Sequence, residues 1–224
     1  DGVPIEVQVD FNPRAGIPSF SIVGLPDSAV RESRERVRAA IKNSGLQFPN
    51  KAYVVNLSPA DLPKHGPAYD LAIAIGALAA TDQVPLDSLE GSLFVGELSL
   101  DGTLRHVKGV MSMVYAAQQA GYARIYIPLE DAREAALISG IEIYPAASLG
   151  ELVEHLYGLK RIAAYVAPPI DPDELARSIR IEIDFADVRG QEHVKRALEI
   201  AAAGGHNLRM VGPPGTGKSL MARA

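Results

Sequence analysis

The sequence of 224 residues contains no cysteine. That excludes a disulfide scaffold and any zinc site built on thiolates. It also lacks a long apolar run. The longest, Leu71 to Ala80, is bounded by Asp70 and by Thr81-Asp82. It is too short to cross a bilayer and reads as a buried helix. The opening Asp1-Gly2-Val3-Pro4 has neither a basic leader nor a signal-type apolar core. A cytoplasmic protein with no membrane partner is expected. An excess of positive charge is missing too: the net charge is −5, which argues against a globally basic nucleic-acid surface but leaves local patches open. Hydrophobic content of 47% and charged content of 22% are ordinary for a globular chain. The length suits one large domain or two modest ones.

Ile5 to Phe11 alternates apolar and polar residues, so it predicts a half-buried strand. Pro18 to Val23 predicts a second strand, and the turn residues between them suggest a hairpin. Asp27 or Ser28 can cap the next helix, in which Val30, Val37, Ala40 and Ile41 share one face and Arg31, Arg34 and Arg38 another. Glu32 and Glu35 interleave with those arginines and favour a solvated, salt-bridged face over a nucleic-acid surface. Ala52 to Leu57 predicts a strand and Ala68 to Ala80 an apolar helix. The loop between them gathers Asp61, Lys64 and His65, either as a catalytic cluster or as polar groups that cap the helix. Asp101-Gly102 predicts a hairpin between 92–100 and 103–107. Strand–helix alternation follows: a helix over 109–120, a strand over 124–127, a short helix over 131–139 and a strand over 141–144. A helix over 148–157 completes it, with Ser148 and Glu151 in capping-box positions. The alternation implies at least one parallel pairing.

Residues 165–180, holding Pro168-Pro169 and Pro172, predict a semi-rigid linker. Beyond it a helix carrying Val194 and Leu198 stops at Gly204-Gly205, and Asn207 to Val211 predicts a short buried strand. Then comes Gly212-Pro213-Pro214-Gly215-Thr216-Gly217-Lys218-Ser219, a full match to the phosphate-binding loop. Glycines let backbone N–H groups curl round a phosphate. Lys218 is placed to reach β- and γ-phosphates, and the Ser219 hydroxyl to take one position on Mg²⁺. ATP and Mg²⁺ are therefore the expected cofactors. The carboxylate that would hold the metal and the arginine finger are expected past Ala224, so 181–224 reads as the start of a domain.

Asp187-Val188-Arg189-Gly190-Gln191 followed by Gly212 to Ser219 resembles the opening of an AAA+ ATPase of the magnesium-chelatase-like branch. Three earlier stretches sharpen the likeness: 22–27 (Ile-Val-Gly-Leu-Pro-Asp), 56–64 (Asn-Leu-Ser-Pro-Ala-Asp-Leu-Pro-Lys) and 65–70 (His-Gly-Pro-Ala-Tyr-Asp). Together they resemble the ComM/YifB family, in which a Lon-protease-like domain precedes the AAA+ module. The resemblance implies an α+β two-layer Lon-like domain with a mixed sheet over 1–164, followed by the P-loop α/β domain. Lon-type proteases cut with a Ser–Lys dyad, and by that likeness Ala68 and Met111 occupy its two positions. Neither supplies a nucleophile or a base. Lys108 and Ser112 lie nearby without the required spacing, so a protease-dead domain is expected and an active Ser–Lys protease is the least favoured outcome. The family implies a hexameric, ATP-driven DNA helicase that promotes branch migration in recombination and natural transformation, acting on branched or single-stranded DNA. The alternative is a chelatase-type ATPase that remodels a protein or a metal-insertion complex.

Overall fold

The computed structural model describes residues 2–168 and 183–224, so most of the expected linker over 165–180 lies outside the described residues. The chain divides into two compact units, Asp1–Ala167 and Pro168–Ala224.

In the first unit alternation builds a half-buried sheet. β1 (Glu6–Asn12) and β2 (Ser19–Val23) turn Val7, Val9, Phe11, Phe20 and Ile22 inward. α1 (Ser28–Asn43) follows, capped by the Asp27 carboxylate, which accepts from Val30 N–H at 2.8 Å. β3 (Ala52–Ser58) then enters between β1 and β2, antiparallel to the first and parallel to the second. The expected hairpin of the first two strands is thus corrected: they share a sheet without touching. Alternation fixes which face each strand buries, not its neighbour. The central place goes to the strand with Tyr53, Val55 and Leu57 all buried.

α2 (Asp70–Ala79) is buried nearly all round and packs with α1 against the inner face of this sheet. A second sheet follows the order β4 (Ser92–Phe94), β7 (Arg124–Pro128), β8 (Glu142–Ala146), all parallel. Between β4 and β7 the chain forms a small hairpin of β5 (Glu97–Leu98) and β6 (Leu104–Arg105), whose turn holds Gly102 at φ 88°. There the Asp-Gly dipeptide does what its chemistry predicts. α3 (Val110–Gln119) and α4 (Ala132–Ala135) cover one face of the second sheet, over Ile125 and Ile143. Phe94, Tyr126 and Tyr144, in register across its strands, stack on the other. α5 (Leu149–Leu156) closes the unit on that side, with Leu149, Leu152 and Leu156 buried. The result is a mixed α+β architecture.

The second unit holds a short turn at Phe185–Asp187, then α6 (Glu192–Gly204) and α7 (Lys218–Met221). The strand expected over Asn207 to Val211 is not formed. A strand exists through its partners, and the described residues of this unit contain no other strand. Among the described residues no helix is long and apolar enough to cross a membrane.

Candidate functional site

The phosphate-loop residues come together as a turn between the 207–211 segment and α7. Gly215 and Gly217 sit at φ 81° and 79°, a left-handed region that a side chain strains to enter. The Thr216 hydroxyl donates to Pro213 O at 2.9 Å, tying the loop across its base. Lys218 curls back into the loop: its ammonium donates to Gly212 O at 2.8 Å, Pro213 O at 2.6 Å and Thr216 Oγ1 at 3.3 Å. All its partners are neutral, and among the described residues no carboxylate pairs with it. The positive charge is held in place but not cancelled, as a polyphosphate site requires. Beside it lies a cavity of about 410 Å³, walled by Val194 and Ala197 of α6, by Met210 and Met221, and by Lys218 itself. Gln191, His193 and Arg209 also line it, so a mixed wall that carries two cationic side chains, Arg209 and Lys218, suits an anionic ligand with an apolar part. Pro214 and Ser219 are exposed on the outer side of the turn. Among the described residues no cluster of His, Asp and Glu is placed to hold a metal. The fit is therefore to a cation that arrives with phosphate oxygens and takes the Ser219 hydroxyl as one ligand.

The two dyad positions are not brought together. Ala68 lines a separate cavity of about 340 Å³ in the first unit, but the α3 residues that line it are Met113, Ala116 and Ala117, not Met111. Met111 is 39% exposed. Residues two apart on a helix point to nearly opposite sides, and α3 turns Val110, Val114 and Ala117 inward. Ser112 and Lys108 are also exposed. Whichever methionine is compared with a catalytic lysine, among the described residues no lysine lines the cavity with Ala68, so no Ser–Lys dyad forms there.

Of the loop cluster, His65 reaches the cavity rim and faces Asp27, with Nδ1 3.3 Å from the carboxylate. Asp27 also accepts from Gly66 N–H at 3.1 Å. The Val30 N–H, then those of Gly66 and His65, hold its carboxyl below the usual range against the pull of desolvation. Lys64 is fully buried and donates its ammonium to Pro59 O. The expected capping of the following helix is corrected: no side chain caps its start, and Lys64 and His65 brace the loop against Pro59 and Asp27 instead. Two buried carboxylate centres escaped sequence reading. Asp70 accepts from the Ser33 hydroxyl, from Arg36 Nε at 2.6 Å and Nη2 at 3.0 Å, and from Leu98 N–H at 3.2 Å. Asp131 binds the His106 ring and accepts Val107 N–H at 3.1 Å.

The profile described as "Subunit ChlI of Mg-chelatase" matches residues 7–131, and "Magnesium chelatase, subunit ChlI" matches residues 184–224. The chain is 43% identical to the competence protein ComM of Haemophilus influenzae over 217 residues, which is 96% of this chain and 42% of that protein. It is 43% identical to the uncharacterised YifB of Escherichia coli, over 98% of this chain and 42% of that protein. A match to Lon protease 2 of Bacillus subtilis is 29% identical over 171 residues, 69% of this chain and 30% of that one. The chain spans less than half the length of the ComM and YifB relatives. With ChlI signatures in both units and alignments that cover 96–98% of its residues at 43% identity, the chain belongs to the ComM/YifB family of Mg-chelatase-like proteins.

Proposed function

We propose that this chain is the N-terminal portion of an ATP-driven AAA+ motor, and that the whole protein is a DNA helicase that promotes branch migration, as in the ComM-type resemblance. The observation that carries it is Lys218, an unneutralised cation wrapped by the Gly212–Ser219 loop. The bound nucleotide supplies a γ-phosphoryl group whose transfer to water drives motion. Lys218 would leave the carbonyls of Gly212 and Pro213 for phosphate oxygens and stabilise charge as it moves onto the γ-phosphoryl group. Gly215 and Gly217 let the backbone approach. The Ser219 hydroxyl would ligate Mg²⁺. A hexameric ring in the cytoplasm, with branched or single-stranded DNA as partner, completes the reading. The first unit would be a Lon-like domain used for assembly or DNA contact, without peptidase chemistry.

The test is unwinding of forked DNA by the full-length protein with ATP. Lys218→Ala is expected to abolish unwinding and ATP hydrolysis, since one charge-assisted contact is worth about 1.5–3 kcal/mol in binding and more in the transition state. A variant with full ATPase activity would overturn the nucleotide reading, and a wild type that hydrolyses ATP without unwinding DNA would overturn the helicase. The family description favours a second reading, a chelatase-type remodelling ATPase. ATP-dependent insertion of Mg²⁺ into a porphyrin, with no DNA unwinding, would select it. Casein digestion by the purified chain is expected to stay at background.

A further inference from the structure

The 340 Å³ cavity of the first unit has walls of an uncommon kind. Glu6 and Val7 of β1 line it side by side, and so do Ser92, Leu93 and Phe94 of β4. Neighbours along a strand point to opposite faces of the sheet. A consecutive run can border one cavity only where the backbone edge itself forms the wall. Among the described residues β1 pairs with β3 alone and β4 with β7 alone, so each sheet has an edge strand bordering this space. Among the described residues no backbone hydrogen bond joins the two edges. Apart from Ile75, the lining from α2 and α3 is small or flexible, with Ala72, Gly76, Met113 and Ala116, and Ala68 adjoins it from the turn before α2. Glu6 is the one carboxylate in the lining, and among the described residues it has no ion-pair partner.

We infer that this cavity is a docking slot for an extended, apolar segment of a separate partner polypeptide that carries a basic residue beside Glu6. Unpaired edge N–H and C=O groups would take the segment's backbone, and the apolar floor its alternate side chains. The volume is at the small end of ligand pockets, about 300–1,000 Å³. It suits a few side chains rather than a folded domain. Charge complementarity selects the occupant's sign, because a basic residue would neutralise Glu6. With Ala68 where a nucleophile would stand and, among the described residues, no lysine in the lining, the segment would be held without Ser–Lys cleavage. The inference does not depend on the nucleotide reading.

The experiment uses fluorescence anisotropy with a labelled hexapeptide of alternating valine and threonine that carries one lysine, on both the 224-residue chain and the full-length protein. Saturable binding to both is expected. Methylation of alternate peptide nitrogens, which removes backbone donors but keeps the side chains, is expected to weaken binding about tenfold or more. Lysine to glutamate in the peptide should weaken it too, as should Glu6→Gln in the protein. Ala68→Trp, which fills the slot, should abolish binding; the exposed-edge variant Glu6→Gln stands in if Ala68→Trp unfolds. Equal affinity for the methylated or the glutamate peptide, or no saturation by about 1 mM, would overturn the slot. Binding by the shorter chain but not by the full-length protein would overturn a separate partner, since the protein's own chain would then fill the site.

Discussion

Asp70 shows how much a single carboxylate can organise. It is fully buried and fixes α1 through Ser33 and Arg36, α2 through its own backbone, and the β5 hairpin through Leu98 N–H. Asp70→Ala would leave the Arg36 guanidinium facing a void, and breaking such a pair costs about 3 kcal/mol or more. The expected outcome is a clear drop in the urea midpoint; an unchanged midpoint would contradict this role. In the sequence Asp70 reads only as the boundary of an apolar run. The signal that could have found it is Ser33, a polar residue on the helix stripe of Val30 and Val37. Its partner is far along the chain, where periodicity has no reach. His106 and His155 predict opposite responses to pH. The Asp131 carboxylate lifts the His106 pKa above its ordinary 6.5. The stability from that pair is complete below the unfolded value and is lost as pH rises through the raised one. Desolvation lowers His155, whose Nδ1 accepts Ile162 N–H at 2.9 Å. Its contribution is complete above 6.5 and is lost as pH falls through the depressed value. Melting temperatures between pH 5 and 8 should show His106→Asn losing the alkaline decline while keeping the acidic one. A variant with the wild-type profile would refute the His106 assignment.

At the scale of elements, capping and turn chemistry were legible where the responsible groups are neighbours in sequence. α5 begins where Ser148 accepts Glu151 N–H at 3.2 Å. The Glu151 side chain reaches back one residue further than a standard capping box, accepting from Ala147 N–H at 2.9 Å. Ser148→Ala is expected to cost about 1 kcal/mol, read as a lower melting temperature; Glu151→Gln, which can still accept, should cost less. The helices over Ala68 to Ala80 and Gly109 to Ala120 formed close to their expected bounds because burial and terminal glycines are local signals. Strand partnership is not local. That is why the β1–β2 hairpin was wrong and why Asn207 to Val211, apolar enough for a strand, has no ladder in which to be one. The spacing that matched in sequence also carries no orientation: Met111 is exposed on α3, while Met113 lines the cavity with Ala68.

Over the whole molecule, the phosphate-loop motif and the two buried hydrophobic clusters lie in different units. Every hydrogen-bond partner of Lys218 belongs to its own loop. Lys218→Ala in the full-length protein should therefore leave the melting transition of the first unit where it was, as judged by scanning calorimetry. An early-melting first unit would show that the two are energetically joined. The β3 strand has a further consequence, for the order in which the chain can fold. As synthesis proceeds from the N-terminus, β1 and β2 emerge first, yet among the described residues each pairs only with β3. Until Ser58 has left the ribosome, two apolar-faced strands and α1 are present with nothing to complete the sheet. Closing that gap late costs loop entropy and slows folding. The nascent chain should then engage a holdase chaperone most strongly over that interval and release it once Ala52–Ser58 slides between its neighbours.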